Sequence, residues 1–509
     1  MVRRLGAPAL SLGIVVLALL ALPAAGAGSG ATFRVSASTG GGAANGRSFF
    51  PAISSDGHFV AFYSDASNLV AGDTNGSRDV FVDDYQTGEL TRVSVDSSGV
   101  EANDDSFAPA ISADGRFVAF SSAASNLVAG DMNGADDVFV RDRQEGTTTR
   151  VSVAPGGAEA NGGSFSPSIS GDGRYVAFLS DATNLVAGDT NSVRDVFVFD
   201  RQTGTTMRAS VDSAGVQADI DSATPVLSAD GRFVAFSSFS DNLIPLDQNE
   251  SSDVFVRNLL AGTTTRVSEY QGGFESDFDS LRPAISADGR FVAFDSDADN
   301  LAFGDVNDAF DVFVKDRQTD VLTQASVDDS GTQVSGDSIR PAVSADGRIV
   351  AFYSDASNLV PGDTNGSTDV FVHDRRSGAT KRVSVAAGGV EANGDSVRPA
   401  ISGDGRLVVF DSDASNLVAG DSNHFTDVFL NDPSATPPPP PAPPARCTVP
   451  RVIGLRLATA RSRIRRAHCR VGRVRRARSR RVGRVLSQSP RAHALRPRGT
   501  KVNLVVGRR

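Results

Sequence analysis

The feature that most constrains this chain is a repeat of invariant length. The stretch Pro-Ala-Ile-Ser-Ala-Asp-Gly-Arg-Phe-Val-Ala-Phe over 109–120 recurs with its Asp-Gly pair at Asp56, Asp114, Asp172, Asp230, Asp288, Asp346 and Asp404, each 58 residues after the last. A period held without insertions means one supersecondary unit copied in series. Within the unit, short runs rich in Val, Ile and Phe are bounded by Gly, Asp, Asn, Ser and Pro, the pattern of strands rather than helices. In the second copy four strands are expected at 108–112, 116–121, 137–141 and 148–153. Asp114-Gly115 forms the first hairpin, because glycine tolerates the positive φ of such a turn. Seven four-stranded copies fit a seven-bladed β-propeller, an all-β fold.

The two ends of the array point to a closed ring. The seventh copy stops after its third strand, at Asp427-Val-Phe-Leu430, and runs into Pro433, while Phe33-Arg-Val-Ser36 lies upstream of the first copy. Arg34 stands 58 residues before Arg92. The N-terminal segment is therefore expected to supply the missing strand, which leaves no open sheet edge.

Outside the repeats the chain changes character. Arg3 and Arg4, an apolar run over 10–22 and Ala25-Gly-Ala27 read as a signal peptide over 1–27, so the chain is expected to be exported and, once cleaved, to have no membrane span. The propeller is expected over 28–432 and a Pro-rich linker over 433–445, an extended spacer on the order of 40 Å. The tail, 446–509, carries 20 Arg and one Lys against no Asp or Glu, a formal charge of +21. All 60 acids precede it with the other 29 basic residues, so the balance of −10 hides a region at −31 and a tail of opposite sign. The tail reads as a small α+β domain, with strands at 449–452, 470–474, 482–487 and 501–506 and a helix over 455–467 that gathers Leu457, Ala460 and Ile464 on one side. Cys447 and Cys469, the only cysteines, flank that helix and read as a disulfide in an exported chain.

Both regions resemble known families. The unit Pro-x-Ile-Ser-x-Asp-Gly-Arg-x-Val-Ala-Phe, followed by Asp-Val-Phe-Val-x-Asp, resembles the WD40-like repeat of TolB-type periplasmic propellers over about four-fifths of the chain. That family's founder has six blades against seven copies here, so its partners do not transfer. The tail resembles a PASTA domain at Val449-Pro450, Gly454, Leu457, Ala460, Gly472, Ser487-Gln-Ser-Pro490, Gly499 and Val502-Asn-Leu-Val-Val506. It departs from that pattern at His493, where the family usually has Gly. The resemblance implies a secreted, wall-facing location and attachment to peptidoglycan or an anionic wall polymer.

Candidate chemistry is thin. In the propeller His occurs only at His58, His373 and His424, at non-equivalent positions, with no Cys and no Gly-x-Ser-x-Gly elbow. No catalytic residue is assigned. With Phe at 30, Tyr at 5 and no Trp, aromatic side chains read as core rather than as platforms for sugars or nucleobases, and no nucleic-acid partner is expected. More specific is Asp-x-Asn-x-x-x-Asp between the second and third strands of every copy. The triples are Asp73, Asn75 and Asp79; Asp131, Asn133 and Asp137; Asp189, Asn191 and Asp195; Asp247, Asn249 and Asp253; Asp305, Asn307 and Asp311; Asp363, Asn365 and Asp369; and Asp421, Asn423 and Asp427. Oxygen ligands at this spacing begin like a calcium loop. The other reading is turn capping, with Asp and Asn bonding their own backbone. On the same rim, the residue before the innermost-strand Pro is Arg282, Arg340 and Arg398 in three consecutive copies, a basic sector for an anionic ligand or a set of partners for Asp279, Asp337 and Asp395. The resulting expectation is a non-catalytic binding or scaffold protein whose propeller engages a protein or envelope ligand. The alternative is a hydrolase or lyase acting on an extracellular polymer from the central channel.

Overall fold

The computed structural model describes residues 30–245, 247–270, 272–303, 305, 307–435, 446–497 and 500–509; the signal-peptide reading and most of the Pro-rich linker lie outside them. The described residues separate into two compact units, divided after Pro437.

The first unit contains seven four-stranded antiparallel sheets. Six are continuous in sequence, as in Ser48–Ile53, Phe59–Ser64, Asp79–Asp84 and Glu89–Arg92. The seventh combines Ser396–Ile401, Val408–Ser412 and Asp427–Asp432 with Ala31–Arg34 from the N-terminal side, Phe33 lying opposite Leu430. The innermost strands contact one another in a circle that returns from Ser396–Ile401 to Ser48–Ile53. The architecture is a seven-bladed propeller closed by its N-terminal strand.

Its core follows from the repeat. In every blade a Phe of the second strand packs on a Phe of the third, from Phe62 on Phe81 with ring centroids 5.8 Å apart to Phe410 on Phe429 at 6.0 Å. Burying each such ring contributes about 2–3 kcal/mol. Both faces of these strands meet a neighbouring blade: Val60 and Phe62 pack with Val409 and Val428 of blade seven. This is why Val118, Ala119 and Phe120 are all buried in succession instead of alternating. Phe117 is half-buried and lies beneath Arg116 and Arg201.

The Asp-Gly hairpin also joins blades. Gly115 has φ 70°, and a Cβ there would run into the Phe59 ring of the preceding blade, so both backbone and space require glycine. Next to the hairpins, backbone hydrogen bonds pass from blade to blade: Ala113 to Gly171, Gly171 to Ala229, Asp230 to Ala287, Ala287 to Ala345, Ala345 to Gly403, Gly403 to Ser55 and Asp56 to Ala113, each first-named residue donating its N–H. This circle ties one end of the channel.

Several strand limits differ from expectation. The first strand of blade two is Ser106–Ile111, starting upstream of the expected 108 because the ladder continues past a bulge at Ala108-Pro109. The outermost strand, Thr147–Arg150, ends before 153 because Ser152 leaves the ladder and its Oγ accepts the Val138 N–H at 3.0 Å. The N-terminal strand likewise spans Ala31–Arg34 instead of 33–36.

The second unit packs one helix, Leu457–Arg466, with Ala460 and Ile464 fully buried, against a three-stranded sheet. In that sheet Lys501–Arg508 lies between Arg470–Arg478, parallel, and Val485–Ser489, antiparallel. The strand read at 449–452 is instead Arg446–Thr448, paired with a strand not foreseen, Leu495–Pro497. Cys447 and Cys469 form a disulfide with Cα atoms 5.4 Å apart and a separation of 22 in sequence. Closing such a loop stabilises a small unit by about 3 kcal/mol. We therefore expect Cys447→Ser/Cys469→Ser, or reduction, to lower the unfolding temperature of this unit selectively in calorimetry, with the cysteine-free propeller's transition unmoved.

Candidate functional site

The end of the channel opposite the hairpins is built on a strained bulge. In each innermost strand the register slips by one residue, as between Phe49 and Ala52 against Tyr63 and Ala61. The residue before Pro in that slip is left-handed in all seven blades: Phe50, Ala108, Ser166, Thr224, Arg282, Arg340 and Arg398, with φ between 47° and 54°. For a side-chain-bearing residue this costs on the order of 1 kcal/mol. A bulge re-aims a side chain, and here these seven side chains and the following prolines line one mouth with a cavity of 330 Å³.

The mouth is not symmetric. Blades one to four contribute Phe50, Ala108, Ser166 and Thr224, all uncharged, and blades five to seven contribute the three arginines. Arg282 Nη2 donates to Asp295 Oδ2 at 2.6 Å, and Arg398 Nε donates to Asp411 Oδ1 at 3.0 Å. Both carboxylates have no exposure, and burial, opposed by these guanidiniums, pushes each up to about 6. Arg340 has Tyr353 at the equivalent place and makes no ion pair among the described residues; its guanidinium lies 5.3 Å from the Phe50 ring centroid, and Arg398 lies over the same ring at 4.6 Å. The partners expected from sequence were the wrong carboxylates. Asp279, Asp337 and Asp395 instead accept the backbone N–H of Ser252, Phe310 and Thr368, because three residues along a strand put them beyond the bulge, whereas Asp295 and Asp411 face it across the hairpin.

The calcium-like triples lie on the rim around this mouth and hold a cation of the chain's own. Arg92 Nη1 lies 3.4 Å from Asp73, 3.0 Å from Asp79 and 2.7 Å from Glu101. The same junction recurs around the ring. Arg150 pairs with Asp131 and Asp137, Arg208 with Asp189 and Asp195, and Arg266 with Asp247 and Asp253. Arg382 pairs with Asp363 and Asp369, and Arg34, from the N-terminal strand, with Asp421 and Asp427. Blade five departs from the pattern. Gln324 takes the arginine's place, and Asp305 and Asp311 accept hydrogen bonds from Gln333.

The asparagines belong to the same frame. Asn75 and Asp79, Asn133 and Asp137, Asn191 and Asp195, Asn249 and Asp253, Asn307 and Asp311, Asn365 and Asp369, and Asn423 and Asp427 are hydrogen-bonded to each other rather than converging as ligands. In each pair the asparagine Nδ2 donates to the aspartate Oδ2, an arrangement that turns an N–H, not an oxygen, toward the carboxylate. Each Nδ2 also reaches a backbone carbonyl of the next inter-blade link, such as Ala102 from Asn75, Ala160 from Asn133 and Ala44 from Asn423. The Oδ1 atoms of Asn75, Asn133, Asn249, Asn307, Asn365 and Asn423 accept the backbone N–H two residues on, which is the turn capping of the other reading. Guanidinium in six blades and amide in the fifth supply donors to these carboxylates. No group of three or more His, Cys, Asp or Glu side chains arranged for a metal occurs among the described residues.

Of the propeller histidines, His373 is buried against Thr380, His58 sits beside Asp56, and His424 is a left-handed loop residue. They are not brought together.

Taken together, the first unit defines an all-β propeller with a basic sector at one channel mouth, and the second a small, basic α+β module. Residues 448–508 match the family model described as the PASTA domain. No curated protein matches the chain. Among solved structures the chain is similar to TolB from Acinetobacter baumannii, at 17% identity over 66% of this chain and 62% of that one with a TM-score of 0.36. It is also similar to an oligogalacturonate lyase from Vibrio parahaemolyticus (12% identity, 79% and 93% covered, TM-score 0.48) and to the β-propeller domain of the Trilobed protease from Pyrococcus furiosus (13%, 76% and 93%, 0.47). The chain thus spans under two thirds of the length of that TolB.

Blade five supplies the test of the rim junction. Gln324→Arg restores the guanidinium that six blades have beside carboxylates already buried, and is expected to stabilise the propeller by on the order of 1 kcal/mol, read as a higher melting temperature. Calcium at millimolar concentration is expected to leave the wild-type melting curve where a chelator leaves it.

Proposed function

We propose that this chain is an exported, wall-associated binding protein in which the basic C-terminal module attaches to the cell wall and the propeller presents a ligand-binding channel mouth formed by Arg282, Arg340 and Arg398. The observation that carries the reading is the module's charge together with its PASTA match. A formal +21 with no acid in 64 residues attracts polyanions strongly at low ionic strength. Its arginines are presented outward, with Arg473, Arg475, Arg476 and Arg478 along one strand. On the same sheet a groove of 680 Å³ is lined by Arg473, Arg475 and Lys501 with Gln488 and Asn503, donors suited to the acidic and amide groups of a wall polymer.

Binding fits the mouth better than turnover does. Its lining residues include no His or Cys, and the two carboxylates behind it are buried and already paired with arginine. A general base must reach the proton it removes, and Asp295 and Asp411 are enclosed. No helix among the described residues is long and apolar enough to cross a membrane, so attachment in this reading belongs to the module.

Sedimentation with purified wall sacculi tests the proposal. The full-length protein is expected to pellet at low salt and to be released at about 0.5 M salt, where the Debye length falls below roughly 5 Å. A chain ending at Pro437 is expected to stay in the supernatant. Removing anionic polymers from the sacculi reports which wall component is bound, and equal pelleting of the truncated chain would overturn the module's role.

A further inference from the structure

Arg340 is the one mouth arginine that makes no ion pair among the described residues. Three guanidiniums and two carboxylates, Asp295 and Asp411, make the sector one positive charge in excess. The chain has a ready remedy, an Asp on the second strand opposite the bulge, and uses it in blades five and seven. In blade six that place holds Tyr353, whose hydroxyl cannot neutralise a guanidinium and stays protonated, since burial raises its pKa. Burial presses the Arg340 pKa down, and the like charges of Arg282 and Arg398 press in the same direction, against opposing contributions from Tyr353 and Asp295. Leaving a half-buried cation unpaired is unfavourable.

The side chain is nevertheless held in place. Its left-handed φ of 53° and the hydrogen bond from its backbone N–H to Asp295 Oδ1, 3.2 Å, fix the bulge, and the Phe50 ring supports the guanidinium. Across the mouth Ala108, Pro109, Ser166, Pro167 and Thr224 form an uncharged wall. A cavity of 330 Å³ is at the small end of the range for organic ligands.

We infer that Arg340 binds the carboxylate of a small amphipathic monoanion whose apolar body lies against the uncharged wall formed by blades two to four. This rests on the reading that the mouth is the propeller's ligand site. A single excess charge matches a monoanion. A phosphate dianion would leave the mouth net negative inside a rim already lined with carboxylates, which is unfavourable at these separations. The planar fork of a guanidinium also matches a carboxylate through two parallel hydrogen bonds.

Calorimetric titration of the full-length protein with 4-phenylbutyrate, 4-phenylbutanol and inorganic phosphate tests this. The acid is expected to bind, and the alcohol and phosphate to bind at least about tenfold more weakly. Arg340→Gln and Tyr353→Asp are each expected to weaken the acid by about tenfold or more, the second while keeping Arg340 and adding the carboxylate that blades five and seven possess. Both variants are also expected to melt higher than wild type without ligand, because the first removes the unpaired charge and the second pairs it. Undiminished acid binding in both variants, equal binding of alcohol and acid, preference for phosphate, or no binding of the acid would overturn the inference. None of these outcomes alters sedimentation with the wall, so failure here is distinguishable from failure of the attachment proposal.

Discussion

Each blade depends on one buried aspartate at the start of its third strand. Asp79 and its counterparts have no exposure, and each accepts a hydrogen bond from a serine of the outer segment, Ser94 at 2.5 Å in blade one and Ser36 at 2.6 Å in blade seven. That serine in turn accepts the N–H of the residue after the aspartate, Val80 or Val428. The asparagine of the rim loop reaches the same carboxylate and also the carbonyl of the next inter-blade link, Ala102 in blade one. One carboxylate therefore joins rim loop, central strand, outer strand and connection. A buried carboxylate without donors is costly, and these partners supply its donors together. In blade seven Ser36 and Arg34 reach it from almost 400 residues away in sequence, which makes ring closure the same junction that every other blade makes locally.

Repetition of that junction leaves the mouth free to vary. The bulge geometry is common to all blades, with the same left-handed residue and the same proline, but the side chain it aims changes from Phe and small residues to three consecutive arginines. A symmetric frame thus carries an asymmetric surface, and the asymmetry is concentrated in blades five to seven. Blade five is also where the rim junction lacks its arginine, so the departures from the repeat fall in one sector.

Much of this was legible in the sequence because the period is invariant. Arg34 could be aligned with Arg92 by counting, and that alone placed the closing strand. The contacts of the mouth were not legible in the same way. Proximity along the chain favoured Asp279, Asp337 and Asp395 as partners of the arginines, but a bulge turns the side chain across the hairpin, toward a residue 13 positions later. The signal was present: Asp295 and Asp411 stand where other copies have Tyr, Ser or Leu, and they accompany Arg282 and Arg398 while Arg340 accompanies Tyr353. Likewise the calcium-like triples gave no hint of their occupant until the arginine at a fixed register, 13 residues after the last aspartate, was seen beside them. In the tail, the strand Leu495–Pro497 escaped detection because so short a run has no periodicity to read.

The central claim is that the strand Asp427–Asp432 is interior, held by the N-terminal strand through the same buried junction as its six counterparts. Native-state hydrogen exchange on the full chain tests it by comparing the amides of Asp427–Asp432 with those of Asp79–Asp84. The account predicts similar protection in the two strands, since both have a paired neighbour on each side and an identical serine–aspartate contact. Exchange of Asp427–Asp432 on the order of a hundredfold faster than Asp79–Asp84, as for an edge that opens locally, would contradict closure.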